Sequence, residues 1–223
     1  MEKKRNLVII GDSAFAEIAY EYFSYDSDYE VVGFSVEQDY LQRENLFGLP
    51  IVSFESVETY FYPKEHDVFA ALAYTQFNRL RTRLSSAAKQ KGYKLASYIS
   101  SKAFVWRNVE MGEHCFIFEG NVVQPFVKLG NNVVLWSGNH IGHHSVIGNN
   151  CFVSSHVVIS GFVEVGNNCF FGVNSTIINN LKVSKDCWIG PSVTITKDTK
   201  EGEFYRIPKV EAAKVSSYRF LKL

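Results

Sequence analysis

Four of the six histidines in this 223-residue sequence lie between positions 140 and 156, and they are the first candidates for proton transfer near neutral pH. They are His140, His143, His144 and His156, while His66 and His114 stand apart. Gly161 follows His143 by eighteen residues. An imidazole beside an uncovered glycine amide could serve acyl transfer as general base, with the amide stabilising the oxyanion. The alternative is that these histidines are only solvent-exposed polar residues.

The spacing of eighteen has meaning because the sequence around these histidines has a period of six. An aliphatic or large apolar residue falls on every sixth position from Ile99 to Ile195, seventeen times in all. A second, mostly small inward position follows four residues after these, and all four cysteines occupy it: Cys115, Cys151, Cys169 and Cys187. This period predicts an uninterrupted β-solenoid. With three hexads in a turn, His143 would stack directly beneath Gly161.

The first part of the chain has a different pattern, in which short apolar runs alternate with helical periodicity. Leu7–Ile10 predicts a buried strand, and Ala14–Phe23 predicts a helix with Ser13 as its N-cap. Further strands are predicted over Tyr29–Phe34 and Val68–Leu72, and a helix over Gln76–Lys91. Such alternation favours a small Rossmann-like parallel sheet. The turn after Ile10 keeps only the first glycine of a dinucleotide fingerprint, so it is either a phosphate site at a helix N-terminus or a structural turn.

The composition of the chain argues against several classes of function and of cellular location. Lys plus Arg and Asp plus Glu balance at 23 each, which argues against a nucleic-acid or anionic-membrane partner. No apolar run approaches a membrane span, and Leu7–Ile10 is too short for a signal peptide, so we expect a cytoplasmic protein. Without a CxxC pair the cysteines are interpreted as core residues, and no metal is expected. Val210–Leu223 is predicted to form a short helix over the open end of the solenoid.

Three segments of the hexad region carry a resemblance: Ile141–Gly148, Val157–Gly161 and Phe170–Ser175. Together with the N-terminal strand, glycine turn and helix, they make the chain similar to the sugar O-/N-acyltransferases. That family includes sialic acid O-acetyltransferases and the N-acetyltransferases of bacillosamine and perosamine pathways. The resemblance implies a left-handed parallel β-helix, a homotrimer, and acetyl-CoA in the cleft between neighbouring coils. It also implies a nucleotide-linked amino sugar held mainly by the N-terminal domain.

The resemblance also assigns roles to individual residues. It places the general base at His143 with His144 beside it, and the backbone oxyanion donor at Gly161. It places the acetyl-CoA contacts at Gly161, Gly172, Val173, Asn174, Gly190 and Pro191, and the nucleotide contacts at Gly11, Ser13, Ala14, Phe34 and Ser35. Two residues depart from the family pattern. His144 stands where an Asp or Glu usually orients the base, and Asp12 stands in the nucleotide loop, where a carboxylate could repel a diphosphate.

These observations divide the chain into an α/β domain over residues 1–98, a left-handed β-helix over 99–200 and a capping segment over 201–223. The leading hypothesis is an acetyl-CoA-dependent N-acetyltransferase acting on a nucleotide-linked amino-deoxysugar for a surface polysaccharide such as O-antigen. A sugar O-acetyltransferase is the alternative within the same fold. A zinc enzyme of the γ-type carbonic anhydrase kind is a more remote alternative, because no two histidines of the hexad region are spaced by whole turns. A non-catalytic scaffold is a second remote alternative.

Overall fold

The N-terminal part of the chain forms a six-stranded sheet with helices against it. A computed structural model describes residues 5–207 and 211–223. The elements are β1 Arg5–Ile10, α1 Ala14–Tyr25, β2 Tyr29–Val36, β3 Asn45–Leu46, β4 Leu49–Ser53, α2 Val57–Tyr60, β5 His66–Ala70, α3 Arg79–Gln90 and β6 Lys94–Leu95. The strand order is β3-β4-β2-β1-β5-β6, with only β3 and β4 antiparallel. The predicted Rossmann-like parallel sheet is confirmed.

Helix α3 begins three residues later than the sequence pattern predicts. Gln76, Phe77 and Asn78 all have left-handed backbone conformations, with φ of 52°, 53° and 63°. Residues in that region cannot continue a right-handed helix, so the first regular turn begins at Arg79. The apolar residues at helical spacing are Leu80, Leu84 and Ala88, which all follow Asn78, so the pattern did not support a start as early as Gln76.

From Tyr98 onward the chain winds as a coil of two-residue strands spaced six residues apart. The strands are β7 Tyr98–Ile99, β8 Phe104–Val105, β9 Glu110–Met111, β10 Phe116–Ile117, β11 Val122–Val123, β12 Lys128–Leu129, β13 Val134–Leu135, β14 His140–Ile141, β15 Val146–Ile147, β16 Phe152–Val153, β17 Val158–Ile159, β18 Glu164–Val165, β19 Phe170–Phe171, β20 Thr176–Ile177, β21 Lys182–Val183, β22 Trp188–Ile189 and β23 Thr194–Ile195. Each pairs in parallel with the strand eighteen residues away. The predicted left-handed β-helix, without an insertion, is confirmed.

The coil has a triangular cross-section. Face one contains β7, β10, β13, β16, β19 and β22; face two contains β8, β11, β14, β17, β20 and β23; face three contains β9, β12, β15, β18 and β21. We call the turn from face one to face two the first corner (for example 172–175), the turn from face two to face three the second corner (142–145 and 160–163), and the turn from face three to face one the third corner (130–133). Residues eighteen apart in any of these positions form a column along the coil.

The inside of the coil is filled as the hexad pattern predicts. The sixth-position residues from Ile117 to Ile195 are almost fully buried, and all four cysteines are buried and free. Burial raises the pKa of the Cys115 thiol to about 11, so it stays neutral and serves as a compact core residue. Asn121 and Asn139 take the same inward position, where each donates a side-chain hydrogen bond to the carbonyl of Trp136.

A column of aromatic side chains joins the two domains. Phe116, Phe152, Phe170 and Trp188 stand on the outer surface of face one at spacings of eighteen or thirty-six residues. The buried core of the N-terminal sheet is continuous with this column, and Phe15 of α1 packs edge-on against Phe116 with ring centroids 5.6 Å apart. The sheet is therefore packed directly on the side of the coil.

The C-terminal segment differs from its predicted role. The strand β24 Phe204–Tyr205 pairs with β22 and extends face one by one further strand. A short helix, α4 Ser217–Leu221, follows, but every residue of 211–223 is exposed. In the single chain this segment therefore does not cover the end of the coil. Val210, where the predicted helix begins, lies outside the described residues. Among the described residues, no helix has the length and apolar character needed to span a bilayer.

Candidate active site

The side chain of His143 lies against Gly161 at the second corner. His143 follows β14 by two residues and Gly161 follows β17 by two residues, so the paired strands stack one above the other. A Cβ atom added to Gly161 would lie 2.9 Å from Cε1 and 3.0 Å from Nε2 of His143. Only glycine leaves room for the imidazole in this arrangement. The structure thus brings together the two residues that the eighteen-residue spacing pairs.

The backbone N–H of Gly161 is free. It donates to no atom in the described part of the chain, whereas the neighbouring Ser160 and Phe162 amides donate to Ile177 and His143 carbonyls. Gly142 keeps it uncovered, because a Cβ atom there would lie 2.5 Å from the nitrogen of Gly161. Sequence reasoning missed Gly142, whose only signal was its place next to His143. A free amide beside an imidazole can stabilise a developing oxyanion.

Two further contacts hold the backbone of His143. Its N–H donates to Oε1 of Gln124 at 2.9 Å, and its carbonyl accepts from the N–H of Phe162 at 3.0 Å. Gln124 precedes Gly142 by eighteen residues, so it lies in the adjoining column one turn earlier. Sequence reasoning missed this residue as well, although its column could have indicated it. The imidazole is therefore presented by a fixed corner, while the side chain itself is exposed.

His144 contacts the ring of His143 through its own ring. The two Nδ1 atoms are 3.1 Å apart. The His144 ring lies between Phe126 and Phe162, with ring centroids 4.6 Å and 4.9 Å away and interplanar angles of 29° and 18°. All three residues have left-handed backbones, with φ of 65°, 59° and 59° along the chain. Two phenylalanines thus hold an imidazole at the position where the resemblance led us to expect a carboxylate.

The remaining histidines lie elsewhere. His140 is on face two, and His156 is at the first corner, one turn after Gly138 and in contact with it. His114 is buried at the third corner, where its Nε2 accepts the N–H of Ala70 at 2.9 Å and its Nδ1–H donates to Oδ1 of Asn132. Burial, with a contribution from the Arg81 cation, lowers the pKa of His114 to about 3. Among the described residues, no cluster of three His, Cys, Asp or Glu side chains is placed to hold a metal ion.

Five of the six residues predicted to contact acetyl-CoA lie at a different corner from His143, and the sixth, Gly161, lies against His143 itself. Gly172, Val173 and Asn174 follow β19, and Gly190 and Pro191 follow β22, so all five are at the first corner. The backbone is closely packed there, because a Cβ atom on Gly172 would lie 2.6 Å from the nitrogen of Pro191. Face two separates this corner from His143. A single chain therefore does not bring the two groups of residues together.

The predicted nucleotide residues lie at the carboxyl edge of the N-terminal sheet, and the structure separates them. Gly11 and Ser13 line a cavity of about 210 Å³. Gly11 has φ of 120°, and a Cβ atom there would lie 3.0 Å from the carbonyl oxygen of Ala71. Ala14 is exposed at the start of α1, outside the lining. Phe34 and Ser35 are fully buried, so neither side chain reaches the cavity surface.

Two arginines offset the carboxylates at this cavity. Asp12 accepts from Nε of Arg43 at 3.1 Å, and its carbonyl accepts a second hydrogen bond from the same guanidinium. Glu37 accepts two hydrogen bonds from Arg83, each 2.8 Å long. Sequence reasoning missed both arginines, because they lie 31 and 46 residues from their partners. The expected repulsion between Asp12 and a diphosphate is therefore reduced by a cation on the same loop edge.

Residues 144–179 match the family model of the bacterial transferase hexapeptide (six repeats). No curated protein matches the sequence. Among solved structures, the acetyltransferase domain of PglB from Neisseria gonorrhoeae has a TM-score of 0.80 at 20% identity, covering 90% of this chain and 96% of that one. PerB from Caulobacter crescentus, in complex with CoA and GDP-perosamine, has a TM-score of 0.79 at 21% identity, covering 89% and 92%.

WeeI from Acinetobacter baumannii is a third similar structure, with a TM-score of 0.59 at 19% identity and coverage of 90% and 96%. In all three cases the similarity extends over both the sheet and the coil. At these identities it establishes the architecture of an N-terminal sheet followed by a left-handed β-helix. The fold that the resemblance implied is thus confirmed.

Proposed function

We propose that the protein is an acetyl-CoA-dependent N-acetyltransferase that acts on the amino group of a nucleotide-linked amino-deoxysugar. The observation that carries the proposal is the imidazole of His143 beside the free N–H of Gly161 on an exposed corner. As the amine nitrogen attacks the thioester carbon, His143 takes a proton from the amine and the Gly161 amide donates to the oxyanion. Collapse expels the CoA thiolate, which receives the proton from the imidazolium.

The solved relatives support the choice of substrates. The PglB domain has been solved with acetyl coenzyme A, and PerB with CoA and GDP-perosamine. Those structures share both parts of this chain, the sheet and the coil. A surface polysaccharide as destination and the cytoplasm as location, where acetyl-CoA is made, accord with this substrate class.

An amine is favoured over a hydroxyl as the acceptor. A hydroxyl is a weaker nucleophile and needs a stronger base, of the kind that a neighbouring carboxylate creates. Beside His143 the neighbouring group is the imidazole of His144 instead of a carboxylate. Within the described residues, the His143 side chain makes no contact with a carboxylate. Sugar O-acetylation remains the second candidate and is tested in the same assay.

The nucleotide is assigned to the cavity at Gly11 and Ser13. The cavity lies at the carboxyl ends of β1 and β2 and the start of α1, the usual ligand position in open parallel sheets. Helix α1 begins directly after the lining residue Ser13, and the amides at a helix N-terminus favour a phosphate. Arg43 offsets the charge of Asp12, which supports diphosphate binding at this loop.

The separation of the corners supports a homotrimer. Acetyl-CoA would contact the first corner of one chain and His143 at the second corner of its neighbour. Face two and the second corner expose several large apolar side chains, which a neighbouring coil would cover: Phe104, Phe126, Val158, Phe162 and Ile178. Exposed apolar patches of this kind mark interaction surfaces.

The CoA phosphates are assigned to the C-terminal end of the coil. Lys197 follows β23 by two residues, as Gly161 follows β17, and so stands two turns further along the same column. Two turns correspond to ~10 Å along the coil, and the lysine side chain extends the reach. Lys197 and Lys200 line a cavity of about 510 Å³ at this end.

The test is a screen of nucleotide-linked amino sugars with acetyl-CoA, measuring release of free thiol and the mass of the product. The proposal expects one acetyl group on nitrogen, no thiol release without the amino sugar, and loss of the activity in His143→Asn. Transfer only to sialic acid or other hydroxyl acceptors would replace it with the second candidate. Thermal stabilisation by zinc but not by acetyl-CoA would point to a metal enzyme instead.

A further inference from the structure

The 3.1 Å contact between the Nδ1 atoms of His143 and His144 restricts where protons can lie. At this distance one nitrogen must carry a hydrogen and the other must accept it. Two bare nitrogens would leave opposed lone pairs, and two N–H groups would clash. The tautomer of one ring therefore determines the tautomer of the other.

Only one of the two neutral arrangements leaves a base. If His143 donates from Nδ1, its Nε2 is bare and can take a proton from a substrate. If His144 donates from Nδ1, the single proton of a neutral His143 lies on Nε2, and the ring cannot act as a base from that nitrogen. Of the two ring nitrogens, Nε2 is also the nearer to a Cβ atom built on Gly161, at 3.0 Å against 3.3 Å for Nδ1.

We propose that His144 is a positioning residue that accepts the Nδ1–H of His143 and so keeps Nε2 free for proton transfer. The inference rests on the proposed function, since it gives His143 the role of base. His144 itself touches no reacting atom. It acts through the ring beside it, as a carboxylate would, but without a negative charge.

The two phenylalanines explain how a neutral ring can do this. Phe126 and Phe162 stack on both faces of His144, so rotation of the imidazole would break both contacts. Phe162 also meets the ring of His143 edge-on, with centroids 5.0 Å apart. The two phenylalanines are about half exposed and have strained left-handed backbones, which a purely structural corner would fill with Asn or Gly.

The same geometry predicts how the pair responds to acid. One added proton places hydrogens on both Nε2 atoms, whichever ring takes it, so a single protonation removes the base. The groups that face the two side chains in the described residues are Gln124, Phe126, Gly161 and Phe162, none of them titratable.

Two substitutions separate this role from stacking. His144→Phe keeps an aromatic ring in a column that already holds two phenylalanines, but removes the acceptor. His144→Asn loses the ring, tolerates the left-handed backbone, and places Oδ1 where Nδ1 of histidine lies. We expect kcat to fall about 10- to 100-fold in His144→Phe, as for loss of other imidazole partners, and to recover most of that loss in His144→Asn. Equal thermal midpoints check the fold.

His144→Asp gives a further readout. A carboxylate beside His143 stabilises the imidazolium, so the acid limb of kcat/KM should move to higher pH than in His144→Asn. Wild-type kcat in His144→Phe, or an equal loss in His144→Phe and His144→Asn, would overturn the proposal.

Imidazole nitrogen NMR tests the tautomer without any substrate. In protein labelled with ¹⁵N-histidine at pH 8, long-range proton–nitrogen spectra should show His143 with Nδ1 protonated and Nε2 bare, with signals assigned by His143→Asn. His144→Phe should lose this preference and His144→Asn should keep it. A His143 ring protonated at Nε2 in the wild type would refute the inference. If the tautomer is as expected but no amino sugar is acetylated, the proposed function fails by itself.

Discussion

The pairing of His143 with Gly161 depends on the absence of a single carbon atom. The glycine lets the imidazole approach to within 3.0 Å of where a Cβ would be, and its amide remains free. Gly142 adds the second opening, since a side chain there would cover the same nitrogen. The candidate site is thus shaped by two glycines as much as by the histidine.

Gly161→Val should abolish turnover and leave the fold intact. Its Cβ would push the His143 ring away and close the approach of the thioester to the amide. Loss of one oxyanion donor costs about 2.7–4 kcal/mol, which corresponds to ~10²–10³ in kcat. Steady-state kinetics measure the effect, with circular dichroism as the control for folding. Turnover equal to the wild type would remove Gly161 from the mechanism.

His143→Asn should lower kcat by ~10²–10⁴, the range expected for a positioned base, with little change in the KM for acetyl-CoA. Asparagine cannot accept a proton at neutral pH. His143→Ala should behave alike, since both remove the base. A fall of less than about tenfold would mean that the amine loses its proton to water unaided.

At the scale of elements, a polar ladder at the third corner joins the coil to α3 and β5. Asn132 donates to Asn150 at 2.9 Å, and Asn150 donates to Asn168 at 3.1 Å, each eighteen residues further along. His114 begins this ladder and links it to β5 through Ala70. The contact between the two domains therefore requires a neutral His114, because only an unprotonated Nε2 can accept the N–H of Ala70.

The free energy of unfolding should decrease as the pH is lowered, because His114 is held neutral in the folded chain. Its pKa is about 3 in the folded chain against 6.5 for an unperturbed histidine, so the unfolded chain binds a proton that the folded chain refuses. The stabilisation is complete above pH 6.5 and is lost as the pH falls from 6.5 toward 3, by up to about 1.4 kcal/mol per pH unit.

Urea unfolding at several pH values measures this slope. His114→Asn is the matched variant: it is less stable at neutral pH because the hydrogen bond from Ala70 is lost, but it lacks the histidine's share of the acid dependence. Parallel stability curves for the variant and the wild type between pH 6.5 and 4 would contradict the assignment.

Face two of the coil separates the candidate base from the five candidate acetyl-CoA residues at the first corner. His143 is at the second corner, and Val173 is at the first corner and 44% exposed. A neighbouring coil in a trimer can supply the missing side of each site. The site would then belong to the interface between two chains.

Complementation tests this arrangement. His143→Asn and Val173→Glu should each inactivate the protein, the second by placing a carboxylate against the acetyl-CoA arm. Equal mixtures of the two variants, unfolded and refolded together, should regain about a quarter of wild-type activity. A site is intact only where the second corner of a Val173→Glu chain meets the first corner of a His143→Asn chain, and this occurs at one interface in four. Sedimentation should show a trimer in each sample. No recovery in mixed trimers would mean that one chain holds the whole site.

The coil, its column spacing and the meeting of His143 with Gly161 follow from the residue pattern alone, because a strict period of six leaves one way to bury the apolar positions. The local pattern of residues also determined β1, the glycine turn and α1. The three-dimensional packing was needed to find that Phe126 and Phe162 enclose His144, that Arg43 pairs with Asp12, that Phe34 is buried, and that His114 is neutral. Those facts depend on side-chain orientations and on contacts between distant segments, which no local period encodes.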